Sequence, residues 1–134
     1  MKDLLLGLRF RSPASDESIA SAEAELGHAL PSDYVEFVKI TNGGEGPLGP
    51  DAYIMFWPVE ELAKWNRAYD VHLYAPGFLL IGTDLGGEAF GFDTRVSPWP
   101  VVQLPFIGME WDQAIPRGGS FTEFLNILQG PLDD

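Results

Sequence analysis

Between Leu30 and Gly44 (LPSDYVEFVKITNGG) the buried-type positions fall at helical spacing. Tyr34, Phe37, Val38 and Thr41 stand at i, i+3, i+4 and i+7 and so share one face. Pro31 suits a first helical turn, where a missing N–H leaves no hydrogen bond unmade. Ser32 and Asp33 bring capping oxygens and negative charge to the same end. Asn42-Gly43-Gly44 accept positive φ and stop the helix. The pattern predicts a short helix that buries its aromatic face in a core.

The remaining elements follow from the same periodicities. Ser15 and Asp16 cap a helix to about Leu26, with Ile19, Ala22 and Leu26 inward and Gly27 as its stop. Met1–Pro13 fits either a helical turn or a strand. Glu45–Asp51 reads as a Gly/Pro loop, Tyr53–Trp57 as a short strand, and Pro58-Val59 as the opening of a helix to about Tyr69, with Leu62, Trp65 and Tyr69 on one face. Phe78–Gly82 and Glu88–Asp93 read as paired strands around a Thr83–Gly87 turn, with Phe90 and Phe92 on one face. Val101–Pro105 is a further strand, whose proline belongs at an edge or an end. Phe106–Gly119 reads as irregular, with a short strand near Met109–Asp112. Ser120 and Glu123 form a capping box for a last helix, with Phe121, Phe124, Leu125 and Leu128 as its stripe and Gly130-Pro131 as its end. Strands joined by short turns pair antiparallel. The expected fold is α+β: one domain over residues 1–134, an antiparallel sheet packed against helices.

Three of these stretches together resemble the SMI1/KNR4 (SUKH) superfamily. LPSDYVEFVKITNGG is similar to its signature helix, in Leu30-Pro31, the aromatic at Tyr34, Phe37 and Asn42-Gly43-Gly44. FLLIGTDLGGEAFGFD (Phe78–Asp93) is similar to its central hairpin, and SFTEFLNIL (Ser120–Leu128) to its closing helix. They occur in the family's order and span most of the chain. The resemblance implies an SMI1/KNR4-like fold. For bacterial members it implies an immunity protein that binds and neutralises a cognate toxin, often a nuclease, delivered by a neighbouring cell. For fungal members it implies a regulator of cell-wall synthesis and signalling, so a regulatory protein-binding scaffold is the alternative.

Charge narrows the partner. The chain carries 8 basic and 20 acidic residues, a net −12, spread as −3 over residues 1–40, −5 over 41–100 and −4 over 101–134. An acidic surface without a block or tail disfavours nucleic acid, whose phosphates need Lys and Arg, and favours a basic protein. With no cysteine, disulfides and thiolate metal sites are excluded, and a cytoplasmic protein is expected. No apolar run approaches the ~18 residues of a membrane span, so no membrane partner is expected.

Catalytic signatures are sparse. His28 and His72 are the two histidines and belong to no spaced ligand motif. GTDLGGEAFG lacks the lysine of a P-loop and enters a strand. No nucleophile elbow occurs, and acid pairs such as Glu60/Glu61 and Glu110/Asp112 arise readily among 20 acids, which leaves a small hydrolase as a third, weaker reading. No cofactor and no metal is expected. The candidate protein-binding residues are the loop acids Glu45, Asp51, Asp84 and Glu88, with Trp99 or Trp111 as an apolar anchor beside them. Metal-independent folding is directly checkable: a chelator should leave the melting temperature unchanged, and a large drop would contradict this reading.

Overall fold

The computed structural model describes residues 1–130. Seven strands form one antiparallel sheet in which every strand pairs with its sequence neighbours: β1 (Arg9–Phe10), β2 (Gly44–Pro47), β3 (Tyr53–Phe56), β4 (Phe78–Thr83), β5 (Glu88–Asp93), β6 (Val101–Pro105) and β7 (Ile115–Gly118). Five helices pack against it: α1 (Asp16–Leu26), α2 (Ser32–Ile40), α3 (Leu62–Ala68), α4 (Val71–Tyr74) and α5 (Phe121–Gln129). The chain opens on a 3₁₀ turn, Lys2–Leu5, and α3 is led in by another, Val59–Glu61.

Local chemistry accounts for the helix ends. Ser15 caps α1 by accepting from the Ser18 N–H at 3.0 Å, and Gly27 closes it in the left-handed region at φ 79°. Ser120 caps α5 from the Glu123 N–H at 3.1 Å, while the Glu123 carboxylate reaches back to the Gly119 N–H at 3.0 Å, one residue earlier than a capping box requires. Neither Ser32 nor Asp33 caps α2. Asp33 accepts from the N–H and hydroxyl of Thr122 at 2.8 and 2.9 Å, and so serves the first turn of α5.

Cross-strand register sorts the sheet into two faces. Phe10, Gly44, Phe56, Gly82, Phe90, Gln103 and Ile115 form one row, and Arg9, Glu45, Met55, Thr83, Ala89 and Leu104 form a row on the other face. The first face carries the aromatic core. Phe37 of α2 lies 5.0 Å from both Phe56 and Phe121, Tyr34 lies 5.6 Å from Phe92, and Phe124 of α5 lies 5.3 Å from Phe90. As expected, Tyr34, Phe37, Val38 and Thr41 are all buried.

Two strands depart from the sequence expectation. Gly44–Pro47 is β2, not loop, because a side chain at Gly44 or Gly46 would collide with the backbone carbonyls of Arg9 and Gly7 laid against it. Near Met109–Asp112 there is no strand. Trp111–Gln113 is a 3₁₀ turn, and the strand falls later, at Ile115–Gly118. Pro105 ends β6, a strand flanked on both sides, so the end position is the one taken. Pro131 lies outside the described residues.

β3 pairs with β4 through Met55–Thr83 and Phe56–Gly82, so the first half of β4 has no strand beside it there. The Asn66 side chain of α3 substitutes for one. Its amide donates to the Leu80 carbonyl at 3.0 Å, and its oxygen accepts from the Leu80 N–H at 2.9 Å. A buried backbone edge is thereby satisfied and α3 is fixed beside the sheet.

At the far end of the β4–β5 pair, Arg95 donates to Asp93 through two side-chain bonds of 3.0 and 3.2 Å. These bonds hold the Asp93 carboxyl below its ordinary value, against an opposing effect of burial. A lowered carboxyl stabilises the fold fully above its unfolded pKa, and that contribution is lost as pH falls through the folded one. Asp93→Asn should therefore be less stable than wild type at neutral pH, with the gap in urea midpoint closing in acid. An equal gap at every pH would contradict this.

The core makes a paired prediction. Phe37→Ala should cost about 3–5 kcal/mol, because it empties the centre of the aromatic cluster. The Tyr34 hydroxyl is buried and finds no hydrogen-bond partner among the described residues, and burial pushes its pKa up. An unsatisfied buried hydroxyl costs about 1–3 kcal/mol, so Tyr34→Phe should leave stability unchanged or raise it. Equal losses for the two variants in chemical denaturation would show that the cluster is misread.

Candidate protein-binding site

Three of the four predicted acids, Glu45, Asp84 and Glu88, are held by hydrogen bonds rather than left loose. Glu45, directly across from Met55, accepts from the Tyr53 hydroxyl at 2.7 Å, and this bond, more than burial, raises the tyrosine pKa. Asp84 Oδ1 accepts from the N–H groups of Gly86 and Glu88 at 2.7 and 3.0 Å and so builds the β4–β5 turn. Glu88 accepts from Gln103 Nε2 at 2.7 Å, and Gln103 Oε1 accepts from Arg117 Nε at 2.7 Å, a relay across β5, β6 and β7. Asp51 and Asp84 line one hollow of about 240 Å³ together with Gln103 and Arg117. The structure thus brings Asp51, Asp84 and, through Gln103, Glu88 to one region, with Glu45 beside Tyr53 at its border.

The two tryptophans are elsewhere. Trp99 packs edge-on to His28 at 5.3 Å and against Phe92 at 5.9 Å. Trp111 packs on Phe78 at 6.0 Å, donates to the Pro76 carbonyl at 2.8 Å and carries the Arg95 guanidinium 3.5 Å above its ring. Phe78 pairs with Asp93 at one end of the β4–β5 ladder, whereas Thr83 pairs with Ala89 at the other, next to the turn. About 15 Å of strand separates the two ends. An anchor formed by Trp99 or Trp111 beside the acids is therefore corrected: both lie at the opposite end of the sheet.

Apolar surface lies on the sheet face opposite the Gln103 hollow, on the side of Glu45 and Met55, supplied in part by Trp65 and Tyr69, which the periodicity assigned to a helix face. Trp57 and Trp65 stack at 5.6 Å and 22°, Tyr69 lies 6.1 Å from Trp65, and Phe106 lies 4.6 Å from Tyr69. With Met55 and Leu85 they wall a groove of about 370 Å³ that ends at the Thr83–Gly87 turn. Trp57 is buried, whereas Trp65 is half-buried and Tyr69 exposed. Leu85 is exposed at φ 62°, a left-handed conformation that costs a branched side chain energy and that glycine would adopt freely. Ile107, next to Phe106, is 93% exposed. An aromatic centre with exposed aliphatics and fixed carboxylates around it has the anatomy of a protein interface.

Other clusters lead elsewhere. His28 and His72, unconnected in the sequence, line one cavity of about 530 Å³ between α1, α3, α4 and β4, with Glu25 and Arg67 at 3.9 Å from each other. Among the described residues no three His, Asp or Glu side chains converge as a metal-holding group. Glu60, whose carboxyl is lowered by a bond from the Asn42 amide at 2.7 Å, and Asp93, lowered by Arg95, serve separate structural contacts and share no cavity. Perturbed groups in an active site converge, and these do not. Among the described residues, no helix is long and apolar enough to cross a membrane.

No curated protein sequence matches the chain. Residues 13–127, which include the central helix, the hairpin and most of α5, match the SMI1 / KNR4 family (SUKH-1). The family is generally associated with immunity proteins against polymorphic toxins and is typically non-catalytic. From its sequence match, its sheet and its helices, the chain belongs to the SMI1/KNR4 (SUKH-1) family.

Proposed function

We propose that this protein is a single-domain, cytoplasmic immunity protein that binds a cognate toxin of basic surface, of the nuclease type, and neutralises it without catalysis. The observation that carries the reading is the groove of Trp57, Trp65, Tyr69 and Phe106 set among carboxylates on a chain of net charge −12. Family membership supplies the class of partner. Charge of this sign steers a basic protein and sets the rate of encounter, while buried aromatic contact sets how long the complex lasts. Glu45 contributes charge beside the groove, and Asp51 contributes it from the hollow it lines with Gln103. Asp84 and Glu88 contribute charge and also hold the turn and the β5–β7 relay.

The test is kinetic and uses the cognate toxin. Its association rate should fall as salt rises, because charges are screened over about 8 Å at physiological ionic strength. Glu45→Lys and Asp51→Lys should slow association with little change in melting temperature, and Tyr69→Ala should speed dissociation. An association rate indifferent to salt and to both charge reversals would overturn the electrostatic reading.

A further inference from the structure

The groove has a definite chemistry, and resting on the reading above it names the group on the partner that fits. Two carboxylates border it. Glu61 accepts from the indole N–H of Trp65 at 3.0 Å, which fixes its charge against the aromatic wall. Glu45 stands across from Met55, one of the groove's walls. Among the described residues the ion pairs are Lys39–Asp16, Arg67–Glu25 and Arg95–Asp93, so neither Glu45 nor Glu61 has a cation within salt-bridge distance. Lys64 reaches this wall, its ammonium 4.8 Å from the Trp65 ring centre, and Arg9 lies across from Glu45. Each bordering acid spends one described hydrogen bond on the fold through a single oxygen, which leaves its other oxygen to accept.

The same protein shows what such an arrangement holds. At the opposite end of the sheet, Arg95 lies flat on Trp111 at 3.5 Å while Asp93 grips its guanidinium at 3.0 and 3.2 Å. There an aromatic face and a carboxylate are satisfied together by one arginine. At the groove the carboxylates lack a cation, and the charge over Trp65 is the chain's own Lys64, 4.8 Å from the ring centre and so more distant than Arg95 is from Trp111, a loose occupant that an arginine can replace. Arginine suits the site better than lysine, because its planar guanidinium stacks on a ring and donates to a carboxylate in the same pose, and its stem packs along apolar walls such as Met55 and Leu85.

We propose that the groove is a receptor for an arginine side chain of the bound protein, stacked on the Trp65–Tyr69 wall and gripped by the bordering carboxylates. The experiment needs no toxin. Nα-acetyl-arginine amide is titrated into the ¹⁵N-labelled protein and the tryptophan indole resonances are followed, with the citrulline and leucine amides in parallel. Citrulline keeps the shape and loses the charge, and leucine keeps only the apolar part. The arginine derivative should move the Trp65 and Trp57 signals several-fold more than either control, and leave Trp99 still. Glu61→Gln and Tyr69→Ala, checked for native fold by circular dichroism, should each reduce the response several-fold. Equal shifts with citrulline or leucine, shifts centred on Trp99, or none at Trp65 up to tens of millimolar would overturn the proposal. Any of those results leaves toxin neutralisation standing, and a toxin that binds elsewhere leaves an arginine-selective groove standing.

Discussion

The seating of α2 on the sheet is the contact on which the other elements depend. Phe37 touches Phe56 and Phe121 at 5.0 Å each, so one ring joins the central helix to β3 and to α5, a helix more than eighty residues away in the chain. Asp33, one turn earlier, accepts two bonds from Thr122 and so supplies the N-terminus of α5 with a partner from another element. The charge is well placed there, since a helix N-terminus favours an anion. One fifteen-residue stretch therefore supplies both the apolar centre and a polar lock. The hydroxyl of Tyr34, buried without a partner among the described residues, is the local misfit in this arrangement.

With α2 and α5 on one face, the sheet's remaining exposures are its opposite face and the open edge of β4. Asn66 closes that edge by replacing a strand's hydrogen bonds at Leu80, and this requirement fixes α3. Trp65 and Tyr69 are neighbours of Asn66 on the same short helical run, so the contact that satisfies β4 also sets the groove's aromatic wall. The recognition surface follows from a backbone need as much as from its own residues. Leu85 shows the opposite balance, because it keeps an exposed side chain at a backbone angle suited to glycine.

Legibility followed physical signal. The helices were readable because caps and apolar stripes coincide, as at Ser15, Ser120 and the Tyr34–Phe37–Val38 face. The β4–β5 hairpin was readable from its glycine turn and alternation. Gly44–Pro47 was not, since the glycines that allow β1 and Gly7 to approach β2 are the residues that mark loops. Ile115–Gly118 carries a proline and no alternation of burial, so nothing local marked it as a strand. At the site, the acids' turn and loop positions were legible, but what stood beside them depended on folding. Trp99 and Trp111 resembled anchors because irregular chain surrounds them. Trp65 and Tyr69 resembled core because they share a helix face with Leu62. The union of α3, the hairpin turn and Phe106 is a tertiary fact with no counterpart in sequence spacing.

Mapping where a bound toxin shields the backbone tests the central claim, that the interface is the acid-framed aromatic groove. Hydrogen–deuterium exchange of the protein alone and in complex with the proposed toxin partner would supply this map directly. The account predicts new protection over the Thr83–Glu88 turn, the Glu61–Tyr69 run and Phe106–Gly108, with the Ser97–Val101 segment unchanged. Protection confined to Trp99, Trp111 and the Asp93–Arg95 end of the sheet, with the groove exchanging as freely as before, would contradict it.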